Sequence, residues 1–435
     1  HLALVTELER RFDIKFESAE MISLNSVERI VAVIESHAGG TASLAVAIPP
    51  EYNDADFDNL QNALAYLSED VESFSIDRPG FRVQVTLAGG ADPAPIRARI
   101  GELTAKLISV PESNLTHTLF ERKRRERLSD EGVFAELVRS RQVIEHGPGV
   151  FSLHGRFLEL LHALDNKVVE LANDMNAAPA LYPVSIPLET LKKSNFFSSY
   201  PHFANFVSTL REDMENISEF SGKASESLAF DFLEHLNAPK MMCRSAGCLH
   251  SYPSFEHQIF EHGRVECITM VGRMFRNESK NIGTLERLNE YTMREIIVLG
   301  SPEYVAESLT RCIRWFEELL EHLNLTGSIQ TANDPFFADN LATLQFFQRS
   351  QQTKIEVRMV NPASGNQVSV GSINNHGSHF GKSYNIRFDD DTFVNSGCVG
   401  WGYERLIFLI LSQHGMNESA WPQPLRELFA SQSTR

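Results

Sequence analysis

Apolar residues recur along this chain with two different periods. From Phe157 to Asn173 they return every three or four positions, the spacing of an amphipathic helix. From Val265 to Phe275, and again from Tyr291 to Leu299, the residues form compact β-rich runs. A polar stretch separates the two runs, and Lys280 to Gly283 supplies a turn, so the pattern predicts a hairpin. Residues two apart on a strand share a face. Arg276 and Glu278 are therefore expected side by side on the first strand, and Tyr291, Met293 and Glu295 together on the return strand. So many charged groups on one face suit a site for a charged, planar ligand better than a plain surface.

The rest of the chain divides by pattern. Residues 1–37 read as three short helices, with Leu2, Leu4, Val5, Leu8 and Phe12 at helical spacing and Ser26 capping the last. Ala38-Gly39-Gly40 is a linker. Residues 38–115 predict a small α/β sandwich: strands at Leu44–Ile48, Ser73–Ile76 and Phe81–Leu87, helices at Asp56–Leu67 and Pro95–Ile108. No chemistry is visible in it, and a spacer or docking platform is the default reading. From 116 to 435 the chain reads as one larger domain. The basic run Glu121 to Arg127 is read as a solvated helix face.

Length and composition narrow the class. A chain of 435 residues suggests about two to three domains. The hydrophobic fraction, 42%, is that of an ordinary globular protein. No apolar run approaches the roughly 20 residues of a membrane span, and no repeat stands out. The chain starts at His1 rather than Met, which points to residues upstream. Five cysteines, Cys243, Cys248, Cys267, Cys312 and Cys398, form no small disulfide framework; they fit a reducing compartment, the cytoplasm, with metal ligation in reach. A net charge of −17 argues against a broad nucleic-acid surface.

Three features converge on a family. The helix Phe157–Asn173 followed by "APALYPVSIP" resembles the first signature motif of class II aminoacyl-tRNA synthetases, which builds their dimer interface. "MFRNE" with "RLNEYTMRE" resembles the second motif, and Gly400-Trp-Gly402-Tyr-Glu404-Arg405 resembles the third. The resemblance covers roughly residues 130 to 420. It implies an α+β fold, an antiparallel sheet flanked by helices, and a homodimer formed through the first motif. It also implies ATP and Mg²⁺ as cofactors. Adenylating a carboxylate brings two anions together, which the site must neutralise and align. By the resemblance, Arg276 bridges the α-phosphate and the substrate carboxylate, Glu278 accepts from the adenine amino group and Tyr291 stacks on the ring. Arg287 and Arg405 hold the remaining phosphates. For a lone arginine a surface ion pair is the better reading; three inside ordered motifs are another matter.

Two thiols and an acid, Cys248 in "GCLHSYP", Glu295 at the end of the second motif and Cys398 before the third, make a three-ligand Zn²⁺ site of the catalytic type, with a fourth position open. This set resembles that of atypical archaeal seryl-tRNA synthetases and of their bacterial relatives, the amino acid:carrier-protein ligases, in which zinc binds the substrate's α-amino group. Cys243 is a spare candidate; Cys267 and Cys312 read as buried structural thiols. Lys354 and Glu356 alternate on a strand that lines the site. Asn374 and His376 share a strand face and either contact substrate or are satisfied core residues. Asp391 and Asn395 are candidates for Mg²⁺. "LVTELERRFDIKF" with "SVERIVAVIES" resembles the later helices of an acyl carrier protein, whose modified Ser would lie upstream of His1. The expected function is therefore activation of a small amino acid, glycine or alanine, and its transfer to a phosphopantetheinylated carrier protein, acting in cis or in trans, with tRNA disfavoured. The alternatives are a zinc-dependent seryl-tRNA synthetase, or a non-catalytic paralogue that binds amino acid or nucleotide.

Overall fold

The computed structural model describes residues 42–52, 54–107, 117–123, 132–332 and 353–430. The helices expected within 1–37 lie outside the described residues. So does most of the basic run after Lys123; its start, Glu121 and Arg122, forms the end of a strand rather than a helix. The chain divides into two compact units. One comprises residues 1–112, 208–238 and 279–281, the other 113–207, 239–278 and 282–435. Residues 208–238, expected in the larger domain, thus group with the smaller one.

In the first unit the expected α/β sandwich is present. Strands Ser43–Ala47 and Val71–Asp77 flank Arg82–Leu87 in an antiparallel sheet. Val83, Val85 and Leu87 alternate inward on the central strand, and helices Asp54–Leu64 and Pro93–Leu107 contribute Leu60, Leu64, Ile96 and Ile100 to the same core. The observed bounds differ from the expected ones by a few residues at each end, the ordinary scatter of helix and strand termini. A separate helix in this unit, Met214–Glu226, starts at Asp213, whose carboxylate accepts from Asn216 N at 2.7 Å.

The second unit is built on an eight-stranded sheet. In chain order its strands are Thr118–Arg122 (β1), Ala178–Pro179 (β2), Glu266–Phe275 (β3), Glu290–Gly300 (β4), Gly327–Thr331 (β5), Lys354–Val360 (β6), Gln367–Gly377 (β7) and Asn395–Gly402 (β8). Their spatial order is β1-β5-β6-β7-β8-β4-β3-β2, antiparallel throughout except for β2, which adds parallel to the edge of β3. Three helices cover one face: Gly155–Asp174 (α1), Pro302–His322 (α2) and Tyr403–His414 (α3). α1 buries Phe157, Leu160, Leu161, Leu164, Val168 and Ala172, the stripe that its sequence period predicts. α2 begins with Ser301 accepting from Tyr304 N, Pro302 in the first turn and Glu303 beside it, a well-specified helix start. α3 is apolar on nearly every side and buried accordingly.

Because side chains alternate across a strand, β4 and β8 serve two cores at once. Ile296, Val298, Val399 and Trp401 face the helices. Met293, Ile297 and Cys398 face the opposite layer with Met270, Tyr252 and Phe380. On the helix side, Arg294 holds α1 to the sheet. Its Nη2 donates to Asp165 at 2.8 Å, its Nη1 donates to Thr269 Oγ1 at 3.0 Å, and Tyr403 OH donates to the same Asp165 at 2.6 Å. Both charges are largely enclosed, so removing one strands the other.

Asp165→Ala is expected to cost about 3 kcal/mol of stability, measured by equilibrium urea unfolding. Asp165→Leu combined with Arg294→Met should recover most of that loss. A loss under 1 kcal/mol in the single variant would rule out this pair as the tie between α1 and the sheet.

Candidate functional site

The site lies on the face of the sheet away from the three helices. Its centre is the carboxylate of Glu295, on the residue after Arg294 and therefore on the opposite face. It is almost fully buried. Its Oε1 accepts from Gly247 N at 2.7 Å and its Oε2 from Cys248 N at 2.8 Å. Two backbone donors offset part of the cost of burying the charge. A Cβ at Gly247 would sit 2.4 Å from Met270 Sδ and 3.1 Å from Met274 Cε, so a side chain there would have to push two buried methionines aside.

Register brings the thiols to the carboxylate. Glu295 pairs with Gly400 and Ile297 with Cys398, so Glu295 and Cys398 are diagonal neighbours on one face of adjacent strands. Cys248 arrives from the short turn Cys248–His250. Potential ligand atoms of Cys248, Glu295 and Cys398 all lie within 4.8 Å of one another, and all three residues are buried. The donor set fits zinc: two sulfurs and one oxygen, too few to close a tetrahedron. Each carboxylate oxygen accepts one N–H and keeps a lone pair for a metal. The Cys248 thiol donates to Cys398, which holds Cys398 well below the usual thiol range and pushes Cys248 up. Burial, reinforced by Cys398, pushes the Glu295 carboxyl up to about 7. Such frustrated acids are what a cation at their centre would relieve.

Beyond the triad, Asn374 stands directly opposite Cys398 in β7 and its Nδ2 lies 3.7 Å from Cys398 Sγ. His376, two residues on, places Nε2 3.7 Å from the same sulfur and Nδ1 3.2 Å from Tyr252 OH. Both residues expected as substrate contacts therefore stand against the Cys398 sulfur. Lys354 and Glu356 belong to the same rows of the sheet, opposite Asn374 and Ser372, and pair with each other at 3.2 Å.

The second cluster surrounds the base of the hairpin. β3 ends at Phe275, so Arg276 and Glu278 lie in the loop and not, as the alternation suggested, on the strand. The loop spans residues 276–289, longer than a turn at Lys280 to Gly283 would need. Asn289 closes its base, its carbonyl accepting from Arg276 N at 2.9 Å and its Oδ1 from Glu278 N at 3.0 Å. Arg276 nonetheless packs beside Tyr291 of the return strand. Its guanidinium lies 5.2 Å from the Phe203 ring centre and 5.6 Å from that of Tyr291, and its Nε donates to Ser245 O at 3.1 Å. Arg287 pairs with the buried Glu278 at 3.3 Å, and Arg405, at the start of α3, donates to Ser369 O at 2.7 Å. Burial lowers the proton affinity of Arg405, and the neighbouring charges of Arg287 and Arg276 lower it further. Three cations thus converge with Glu278 and Tyr291, and an anionic ligand would relieve their repulsion.

Several residues escaped the sequence reading. Glu404 accepts from Thr292 N and Oγ1 at 2.8 Å and from Arg273 Nη1 at 3.1 Å, which fixes the start of α3 and so aims Arg405. Only its place inside the third motif hinted at this. The donors Gly247 N and Cys248 N carry no side-chain signal at all. Among the other thiols, Cys267 and Cys312 are buried away from the triad, as expected of structural thiols, and Cys243 does not join it. Asp391 sits in an exposed turn paired with Arg387 at 3.1 Å, and Asn395 donates to Phe393 O. Asp391 does not join the Cys248, Glu295 and Cys398 group.

Known proteins resemble this chain in sequence and in fold. Residues 267–414 match the core domain of class II tRNA synthetases (G, H, P, S and T). The type-2 serine–tRNA ligase of Methanococcus aeolicus is 25% identical over 281 residues, which are 62% of this chain and 53% of that protein. The enzyme of the same name from Methanocaldococcus jannaschii is 26% identical over 274 residues, 60% of this chain and 52% of that protein. The chain thus spans about half the length of the curated relatives it matches. Among solved structures, SerRS of M. kandleri in complex with tRNASec of A. aeolicus superposes with a TM-score of 0.64 at 19% identity, over 93% of this chain and 82% of that one. The cytoplasmic serine–tRNA ligase of Naegleria fowleri, in complex with AMP, gives 0.56 at 13%, over 77% and 71%. The fold is that of the class II synthetases, a largely antiparallel sheet flanked by helices.

Elemental analysis should find about one zinc per chain. Cys398→Ser should lose it and Cys312→Ala should keep it. Without metal, the Glu295 carboxyl titrates near 7 in the folded protein and near 4.3 when unfolded. A raised folded pKa contributes stability at low pH that is lost as pH rises. Melting temperatures of chelator-treated protein should therefore fall between about pH 4 and 7, and added zinc should flatten that fall.

Proposed function

We propose that this protein activates an amino acid with ATP, forming an aminoacyl adenylate and pyrophosphate, at a zinc-dependent site of class II synthetase type. The observation that carries this reading is the pairing of two clusters on one sheet face: a buried two-thiol, one-carboxylate donor set, and three converging arginines. Bound zinc would act as a Lewis acid that accepts the substrate's free α-amino group at its open position. Cys248, Glu295 and Cys398 would hold it. Arg276 would receive the substrate carboxylate, since its planar fork suits a carboxylate and a phosphate at once. Tyr291 would stack on the adenine ring and Glu278 accept from its amino group, while Arg287 and Arg405 take the remaining phosphates. Mg²⁺ would accompany the ATP.

Two acceptors remain for the activated acyl group. The names of the relatives support a tRNA, with serine as the amino acid, and weigh against the initial preference for a carrier protein and for glycine or alanine. One observation supports the carrier thiol: the whole chain carries −17, whereas a tRNA needs many phosphate contacts. Within this reading the first-motif segment, with exposed Leu181 and Val184, would pair two copies.

Amino-acid-dependent pyrophosphate exchange tests the common step. Arg276→Ala should reduce it at least about a thousandfold while leaving the fold intact, because the guanidinium faces charge that grows in the transition state. Arg276→Lys should fail nearly as badly, since an ammonium lacks the fork. Normal exchange in either variant would refute the assignment. Supplying labelled serine, glycine or alanine with tRNA or with a holo-carrier protein then identifies the acceptor by where the label is found.

A further inference from the structure

The turn from Arg244 to Cys248 touches both clusters. Its far end, Gly247 and Cys248, caps Glu295, and Ser245 O accepts from Arg276. What fixes its near end is Arg244 itself. This arginine is buried, and among the described residues its hydrogen-bond partners are carbonyls alone. Nη1 donates to Tyr182 O at 2.8 Å and Pro183 O at 2.9 Å, and Nε donates to Arg273 O at 3.0 Å. β3 makes room for it with Gly272, where a Cβ would stand 2.0 Å from Arg244 Nη2. A buried cation without a paired anion is costly and calls for compensation. Glu295 is the acid whose charge acts on it.

Charge arithmetic supplies the compensation. Two thiolates and a carboxylate carry three negative charges, and a divalent ion leaves one of them unbalanced. We propose that Arg244 is a positioning residue for the metal turn, clamping it to residues 182–183 and 273 while its buried charge balances the excess negative charge of the loaded donor set. This rests on the reading that Cys248, Glu295 and Cys398 hold zinc. Arg244 itself touches no reacting atom; it acts through the turn, and through Ser245 it also bears on Arg276.

Two substitutions test the role independently. Arg244→Met removes charge and clamp; Gly272→Ala leaves the charge but displaces the guanidinium. Zinc affinity is measured by competition with a chromophoric chelator, and ligand geometry by the sulfur-to-metal charge-transfer band after cobalt replaces zinc. Both variants should bind zinc at least about tenfold more weakly than the unsubstituted protein, with a shifted cobalt band. Arg244→Lys should fall between, retaining charge without the fork. A lower melting temperature with unchanged zinc affinity and cobalt spectrum would mean a merely structural part and overturn the proposal. If Arg244→Met does not fold, Gly272→Ala decides alone: unchanged affinity there overturns it. If the unsubstituted protein takes up no zinc, the metal reading fails first and this role falls with it.

Discussion

Burying a carboxylate in a protein interior is unfavourable unless donors or cations surround it, and the placement of Glu295 shows how much structure that requirement recruits. Two backbone N–H groups must point at it, so the turn at 247–248 has to be tight and to lack a side chain where Met270 approaches. The strand beneath must be held in register, and the preceding residue does this from the other face. Arg294 grips Asp165 of α1 and Thr269 of β3, and Thr269 Oγ1 in turn donates to the carbonyl of Glu295 at 3.1 Å. One dipeptide therefore joins the helix layer to the chemistry layer.

The sequence disclosed most of what alternation and order can encode. The paired β runs, the α1 stripe and the small α/β unit were legible because burial imposes periods of two and 3.6 on residue choice. Cys248, Glu295 and Cys398 could be grouped because thiols and an acid stood in or beside recognisable motifs. Arg276 and Glu278 were identified correctly as neighbours of Tyr291 but placed on a strand that ends one residue too soon. Strand ends depend on where partners run out, which local pattern does not reveal. Arg244 and Glu404 were illegible for a different reason. Their partners are backbone groups, and a carbonyl or an N–H leaves no mark in the side-chain alphabet.

Net charge proved a coarse guide. A chain of −17 nonetheless gathers Arg276, Arg287 and Arg405 close enough for their charges to act on one another. Electrostatic attraction is local once separation exceeds a Debye length of about 8 Å at physiological salt, so the sign at the site is independent of the sign of the whole. The same consideration limits what acidity can say about the acceptor, since a locally basic track can coexist with a strongly acidic whole.

The hairpin loop at 276–289 divides labour along the chain. Below it, every pair from Glu266 opposite Leu299 to Phe275 opposite Glu290 is fixed by side chains on both faces, so a single inserted residue would exchange the two layers. Above Asn289, which seals the base, the loop is fixed at points, with Leu285 and Leu288 buried in the core and Arg287 paired with Glu278, while added length between such points is cheap, about 0.6 kcal/mol for each doubling of a flexible loop. Descendants of such a chain can therefore vary the stretch at 279–284 to greet a new acceptor, provided Arg276, Glu278 and Arg287 keep their places. Molecular tinkering has an open workshop here, immediately beside a sealed vault.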